Sequence, residues 1–136
     1  MTVIESIIQF LSEYEQESRI GVDKLESQTV SYSLMKAPQE NVQHFISGTE
    51  IHTAYYQLMA HMDVGSENER IGNHAWGQGI SEWISGKSRA GEYPELDGYK
   101  CVDIGVSTPF YMGVMDGSSA VYQMTVFIKY ERKNSL

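Results

Sequence analysis

The sequence predicts an α+β domain, a largely antiparallel or mixed sheet with two helices packed on one face. Three observations lead there. Apolar residues fall at helical spacing in the opening segment and again around Trp76–Ile84. Most of the remaining chain alternates apolar and polar residues with period two. Glycine and proline separate these segments, giving the order α-β-β-β-α-β-β within one domain, 1–136.

Val3, Ile4, Ile7, Ile8 and Leu11 share one helical face, and Thr2 with Glu5 forms a capping-box pattern. The helix is expected to fade over Glu15–Ser18, before Gly21. Val30, Tyr32 and Leu34 then alternate with Ser31 and Ser33, a half-buried strand that Pro38 should end. Residues 41–47, "NVQHFIS", read as a weaker strand, followed by a glycine turn at "SGTE". The stretch "HTAYYQLMAHMD", 52–63, has a helix-friendly composition. Its unbroken alternate row Ala54, Tyr56, Leu58, Ala60 and Met62 nevertheless predicts the second arm of a β-hairpin.

Ser66 and Glu69 repeat the capping-box pattern, and Trp76, Ile80, Trp83 and Ile84 make an apolar stripe behind it. Gly72, Gly77 and Gly79 weaken a helix there by about 1 kcal/mol each relative to alanine. Either a neighbour packs closely on them or the segment is two shorter helices. "GEYPELDG" is a loop. Val102, Ile104 and Val106 form the next alternating row, and Ala120 through Tyr130 the last. "TPFYMGVMDGSS" connects the two, with a turn marked by Asp116-Gly117.

Composition bounds the function. With 41% apolar and 21% charged residues the chain is globular, and its longest apolar run falls well short of a bilayer span. A signal peptide is not expected, and a single cysteine, Cys101, allows no internal disulfide, so cytoplasmic synthesis is the default. The net charge of −8 argues against general nucleic-acid binding, which needs clustered Lys and Arg.

Catalytic patterns fail on spacing. His52 and His61 are nine residues apart, which sets them on opposite sides of a helix or strand, and roughly 30 Å apart along a strand. "SGKS" at 85–88 lacks the leading glycine of a phosphate loop, where Ser81 stands, and follows a helix. "GQGISE" lacks the third glycine of a dinucleotide fingerprint, and no G-x-S-x-G elbow occurs. "DVGSENERIGNH" lacks the ligands of a calcium loop, and one cysteine with scattered histidines gives no zinc spacing. Cys101 sits in a predicted strand, where a buried, inert thiol is expected. Neither an enzyme nor a cofactor or metal site is expected. Trp76 and Trp83 are expected to pack on the sheet.

The segment "PFYMGVM", 109–115, is the candidate site. Phe110, Tyr111, Met112, Val114 and Met115 are too apolar for a connection between strands, so they need a partner. That partner is the domain's own core or a neighbouring subunit.

Several segments together carry a family resemblance: the opening amphipathic helix, "VDKLESQTVSYSL" running into a proline, and "FISGTEIHTAYYQLMAHMD" as a hairpin. The tryptophan helix "ISEWISGKSRAGEYPEL" and the closing "VYQMTVFIKYER" complete the set. Taken in order, they resemble the phage minor-capsid or tail-terminator-like family of long-tailed bacteriophages and their prophage remnants. The resemblance spans nearly the whole chain, and the glycines at 72, 77 and 79 are more than it leads one to expect. It implies a structural virion protein of the tail or neck region. Such a subunit forms a ring, commonly a hexamer, that caps the tail tube and meets the head connector. Its partners would be further copies of itself, the tail tube protein and a head connector or completion protein. DNA would pass through without specific binding, and no membrane would be involved. Acidic residues at Glu13–Glu26 and Glu67–Glu69 would then suit a channel wall that repels phosphate. The rival class is a small-molecule-binding or enzymatic α+β domain, with a pocket between the sheet and the Trp83 helix.

Overall fold

A computed structural model describes residues 2–14 and 31–133. Their order is α1 (Val3–Leu11), β1 (Ser31–His44), β2 (Thr49–Asp63), α2 (Glu67–Ala90), β3 (Lys100–Asp116) and β4 (Ser119–Lys133). The four strands form one antiparallel sheet in the order β1-β2-β4-β3, which is an α+β fold. Two hairpins lie side by side with β2 and β4 inside and β1 and β3 at the edges. Helix α2 bridges the hairpins and packs chiefly on β3, while α1 lies against β1.

The alternation read from residues 54–62 and 120–130 gives the core. Ala54, Tyr56, Leu58, Ala60 and Met62 are buried, as are Ala120, Tyr122, Met124, Val126, Ile128 and Tyr130. Ile7, Leu11, Ile80, Ile84 and Ile104 close over this face. The opposite row of β2 and β4 faces away from the helices, with Tyr55 opposite Phe127 and Met59 opposite Gln123. An antiparallel sheet tolerates such one-sided cover because its alternate residues need not be apolar.

Both capping boxes form. The Thr2 N–H donates to Glu5 Oε1 at 2.7 Å, and the Glu5 N–H to Thr2 Oγ1 at 3.3 Å. Ser66 and Glu69 reciprocate in the same way at 3.0 and 3.1 Å. Helix α1 ends at Leu11 with Ser12 as its C-cap, about a turn earlier than expected; Glu15–Ser18 lie outside the described residues. Its buried stripe is rotated toward Ser6 and Phe10, so Ile8 sits at the margin of the expected face.

Two further boundaries differ from the sequence reading. The strands expected at 30–34 and 41–47 are one strand, β1, whose register against β2 shifts between Lys36 and Glu40. Pro38 lies in that irregularity and does not end the strand. At a sheet edge its missing N–H costs no ladder bond, and the bulge absorbs the ring. The sheet therefore has four strands where five were expected. Helix α2 runs unbroken for 24 residues in spite of its glycines. Gly77 explains why: it faces Phe110 so closely that a Cβ would overlap the ring. The helix closes at Gly91, whose left-handed φ of 72° lets the chain turn out of the last turn without strain.

Candidate functional site

The segment 109–115 belongs to strand β3 and not to a connection; the turn is only Gly117-Ser118, with Gly117 at φ 66°. Asp116-Gly117 marked that turn correctly, but the apolar residues before it lie along the sheet edge. Register breaks between Val106 and Thr108, Thr108 and Tyr111, and Met112 and Val114 twist this edge and redirect its side chains.

The five candidate residues therefore divide. Phe110 belongs to the core: its ring stacks on Tyr122 at 5.0 Å and 8°, and meets Trp76 at 5.6 Å. Met112 packs against the cluster of Ala60, Met62, Val64, Ala120 and Tyr122. Tyr111, Val114 and Met115 are exposed, at 46%, 63% and 58%. Of the two partners the sequence left open, the core takes two side chains and the surface keeps three.

A second exposed apolar patch escaped the sequence reading. Val42, Phe45 and Ile46 stand at the β1–β2 turn, and Ile46 is fully exposed. The turn is held by Phe45 N–H donating to Thr49 O at 3.0 Å and Gly48 N–H to Phe45 O at 2.9 Å. The signal was present in "HFISG", where two large apolar residues immediately precede a turn glycine. Assigning 41–47 to a strand concealed it.

The two patches lie at opposite ends of the sheet. Thr49 begins β2 beside the first turn, and Asp63 ends it opposite Ser119, beside the second. At ~3.3 Å per residue the intervening strand spans ~45 Å.

The histidines separate as their spacing predicts. His61 is exposed on the open face, with Nε2 3.1 Å from Ser119 Oγ. His52 points to the helix-covered side and stacks on Tyr130 at 5.2 Å and 5°. Its Nδ1 lies 3.2 Å from Glu40 Oε2 and its Nε2 3.0 Å from Glu50 Oε1. Lys36 reaches Glu40 at 3.1 Å. This group clamps the strand just after the bulge, so β1 resumes its pairing in a fixed register. Burial raises the Glu40 carboxyl, but hydrogen bonds and charge from Lys36 and His52 outweigh it and hold the group below its ordinary value. Sequence spacing gave no hint of the clamp, because the bulge brings Glu40 within reach.

Cys101 is buried, and desolvation pushes its thiol up to about 11, against a backbone hydrogen bond from Asp103 that lowers it, while the Asp103 charge adds to the rise. A thiol held neutral in this way is a poor nucleophile. Among the described residues, no group of three or more His, Cys, Asp or Glu is arranged to hold a metal ion. No helix among them is long and apolar enough to cross a membrane.

Among the described residues, aromatic side chains pack between the sheet and the Trp83 part of α2. Trp83 meets Phe10 at 5.1 Å and Tyr14 at 5.8 Å, above buried Ile80 and Ile84. An open recess of about 490 Å³ lies along the α2–β3 loop, lined by Tyr93, Pro94, Leu96, Tyr99 and Cys101 among others. Of the acidic segments, Glu67 and Glu69 are exposed at the start of α2, whereas residues 15–26 lie outside the described residues. No protein-family model matches the chain, and no curated protein sequence does.

Proposed function

We propose that this chain is a non-enzymatic structural subunit of the phage head–tail region, a tail terminator. Its copies form a ring that caps the tail tube and joins it to the head connector. One observation carries the reading: Tyr111, Val114 and Met115 leave large apolar side chains exposed at one corner of the sheet. A monomeric domain gains nothing from such a corner, while an assembling subunit uses it to exclude water against a neighbour. The ordered resemblance of the chain to tail-terminator-like proteins supplies the particular assembly. The acidic balance of −8 agrees with a ring through which DNA slides without adhering.

The test is multi-angle light scattering with negative-stain microscopy of the purified chain over a wide concentration range. A single closed ring, or reversible association toward one, is the expected result. A strict monomer whose melting temperature rises with a small ligand would overturn it. The genes on either side provide a second check, with head-connector and tail-tube genes expected there.

A further inference from the structure

Two exposed apolar patches of different shape stand at opposite ends of one sheet. We infer that they bind each other between copies: the Phe45–Ile46 hairpin tip of one copy docks on the Tyr111–Val114–Met115 corner of the next. The inference rests on the self-assembly reading above and names the surfaces that would carry it.

Shape favours the pairing. The first patch protrudes from a turn, with Ile46 wholly in solvent and Phe45 beside it at 46% exposure. The second is the flank of an edge strand, where Tyr111 and Val114, paired with Gln123 and Val121, stand on the open face and Met115, paired with Ala120, stands at the other side of the same edge. A protrusion meeting a flank is a heterologous contact, which repeats from copy to copy and closes into a ring when the rotation permits.

The sheet edges themselves are poorly suited to joining copies strand to strand. Pro38 and its bulge interrupt β1, while Pro109 and four register shifts interrupt β3. These are the devices by which proteins block edge-to-edge pairing. Side-chain patches are left to make the contact.

Charge also favours unlike ends over like ends. Around the Tyr111 corner lie Asp63, Glu67 and Glu69, while Arg70 turns back to donate to Val64 O at 2.7 Å. Toward the other turn lie exposed Lys100, Lys129 and Arg132, interspersed with Glu131 and with Glu95 and Asp97 of the α2–β3 loop. Glu50, beside them, is engaged by His52 at 3.0 Å. Joining two corners of the first kind would set acid against acid. Joining unlike ends brings the three cations of the second within reach of those acids.

Area sets the strength. Three large side chains at each patch expose roughly 100 Å² apiece. One contact therefore falls well below the ~1,200 Å² typical of a stable complex. A single contact should be weak and reversible, and closure, in which every copy makes two, should stabilise the whole.

The experiment uses the full chain with Ile46→Asp and Val114→Asp, each checked by thermal melting, which should stay near wild type because both side chains are exposed. In sedimentation velocity each variant alone should associate at least about tenfold more weakly than wild type. Mixed in equal amounts, they should form a one-to-one dimer and nothing larger, since each retains the surface the other lacks. Persistence of wild-type assembly in either variant would overturn the contact while leaving self-assembly intact. So would a mixture that shows no one-to-one dimer even at concentrations well above those at which wild type assembles, or a variant that stops at a dimer by itself. A wild-type chain monomeric at every concentration would overturn both readings together.

Discussion

The β1–β2 and β3–β4 hairpins use one plan with different outcomes. Each gives the sheet an inner strand of uninterrupted register and an outer strand broken by bulges. In the first hairpin the break is single, lies around Pro38, and is clamped afterwards by Glu40 and His52. In the second there are four breaks, and helix α2 covers them through Phe110, Trp76 and Gly77. The first ends in an apolar loop and the second in a tight glycine turn with apolar residues on its flank. Irregularity at a sheet edge thus interrupts the row of backbone groups that another strand would pair with.

Contrasts between inner and outer strand should be largest in the core. Leu58 is fully buried on β2, and its register partner Leu34 on β1 is only partly buried. Leu58→Ala should cost about 3–4 kcal/mol in urea unfolding, and Leu34→Ala less than half of that. Equal losses would mean that β1 is as deeply held as the centre.

The next contrast lies along α2. Gly77→Ala must displace the Phe110 ring and should destabilise by about 1–3 kcal/mol, loosening the second hairpin. Gly72→Ala meets open space on the same helix and should stabilise by up to about 1 kcal/mol. Opposite signs in thermal melts of the two variants would identify close packing as the reason for Gly77; matching signs would remove it.

The smallest effect concerns the first hairpin's clamp. Glu40 has a folded pKa below its ordinary value of 4.5, so its stabilisation is fully present above that pH. It is lost as pH falls through the depressed folded value. Glu40→Gln should therefore lower stability by at most about 1 kcal/mol at pH 7, because the pair is partly solvated. The difference should shrink below pH 4.5 and disappear in stronger acid, as read by denaturant midpoints across pH.

The inner strands, both capping boxes and the separation of His52 from His61 were legible in the sequence, because burial on one side imposes a period that one chain reveals alone. Edge behaviour was not. Pro38 reads as a stop only when a ladder partner is assumed on both sides, and an edge strand has one. The same error placed 109–115 in a loop and hid Phe45–Ile46 within a strand. The candidate site was thus half legible: its residues are apolar and need partners, but whether Phe110 faces Trp76 or solvent depends on a register break. Such breaks are set by the packing of α2, which is distant in sequence.

The uninterrupted pairing of β2 with β4, along all 15 residues of β2, also has a mechanical consequence. The two hairpin tips lie at opposite ends of this ladder and belong to different hairpins. A load applied between the tips runs parallel to the strands, so the inter-strand hydrogen bonds share it in shear. Peeling would break them one after another. Pulled or pressed from tip to tip, the domain should behave as a stiff strut, yielding along β2–β4 only when many bonds fail together.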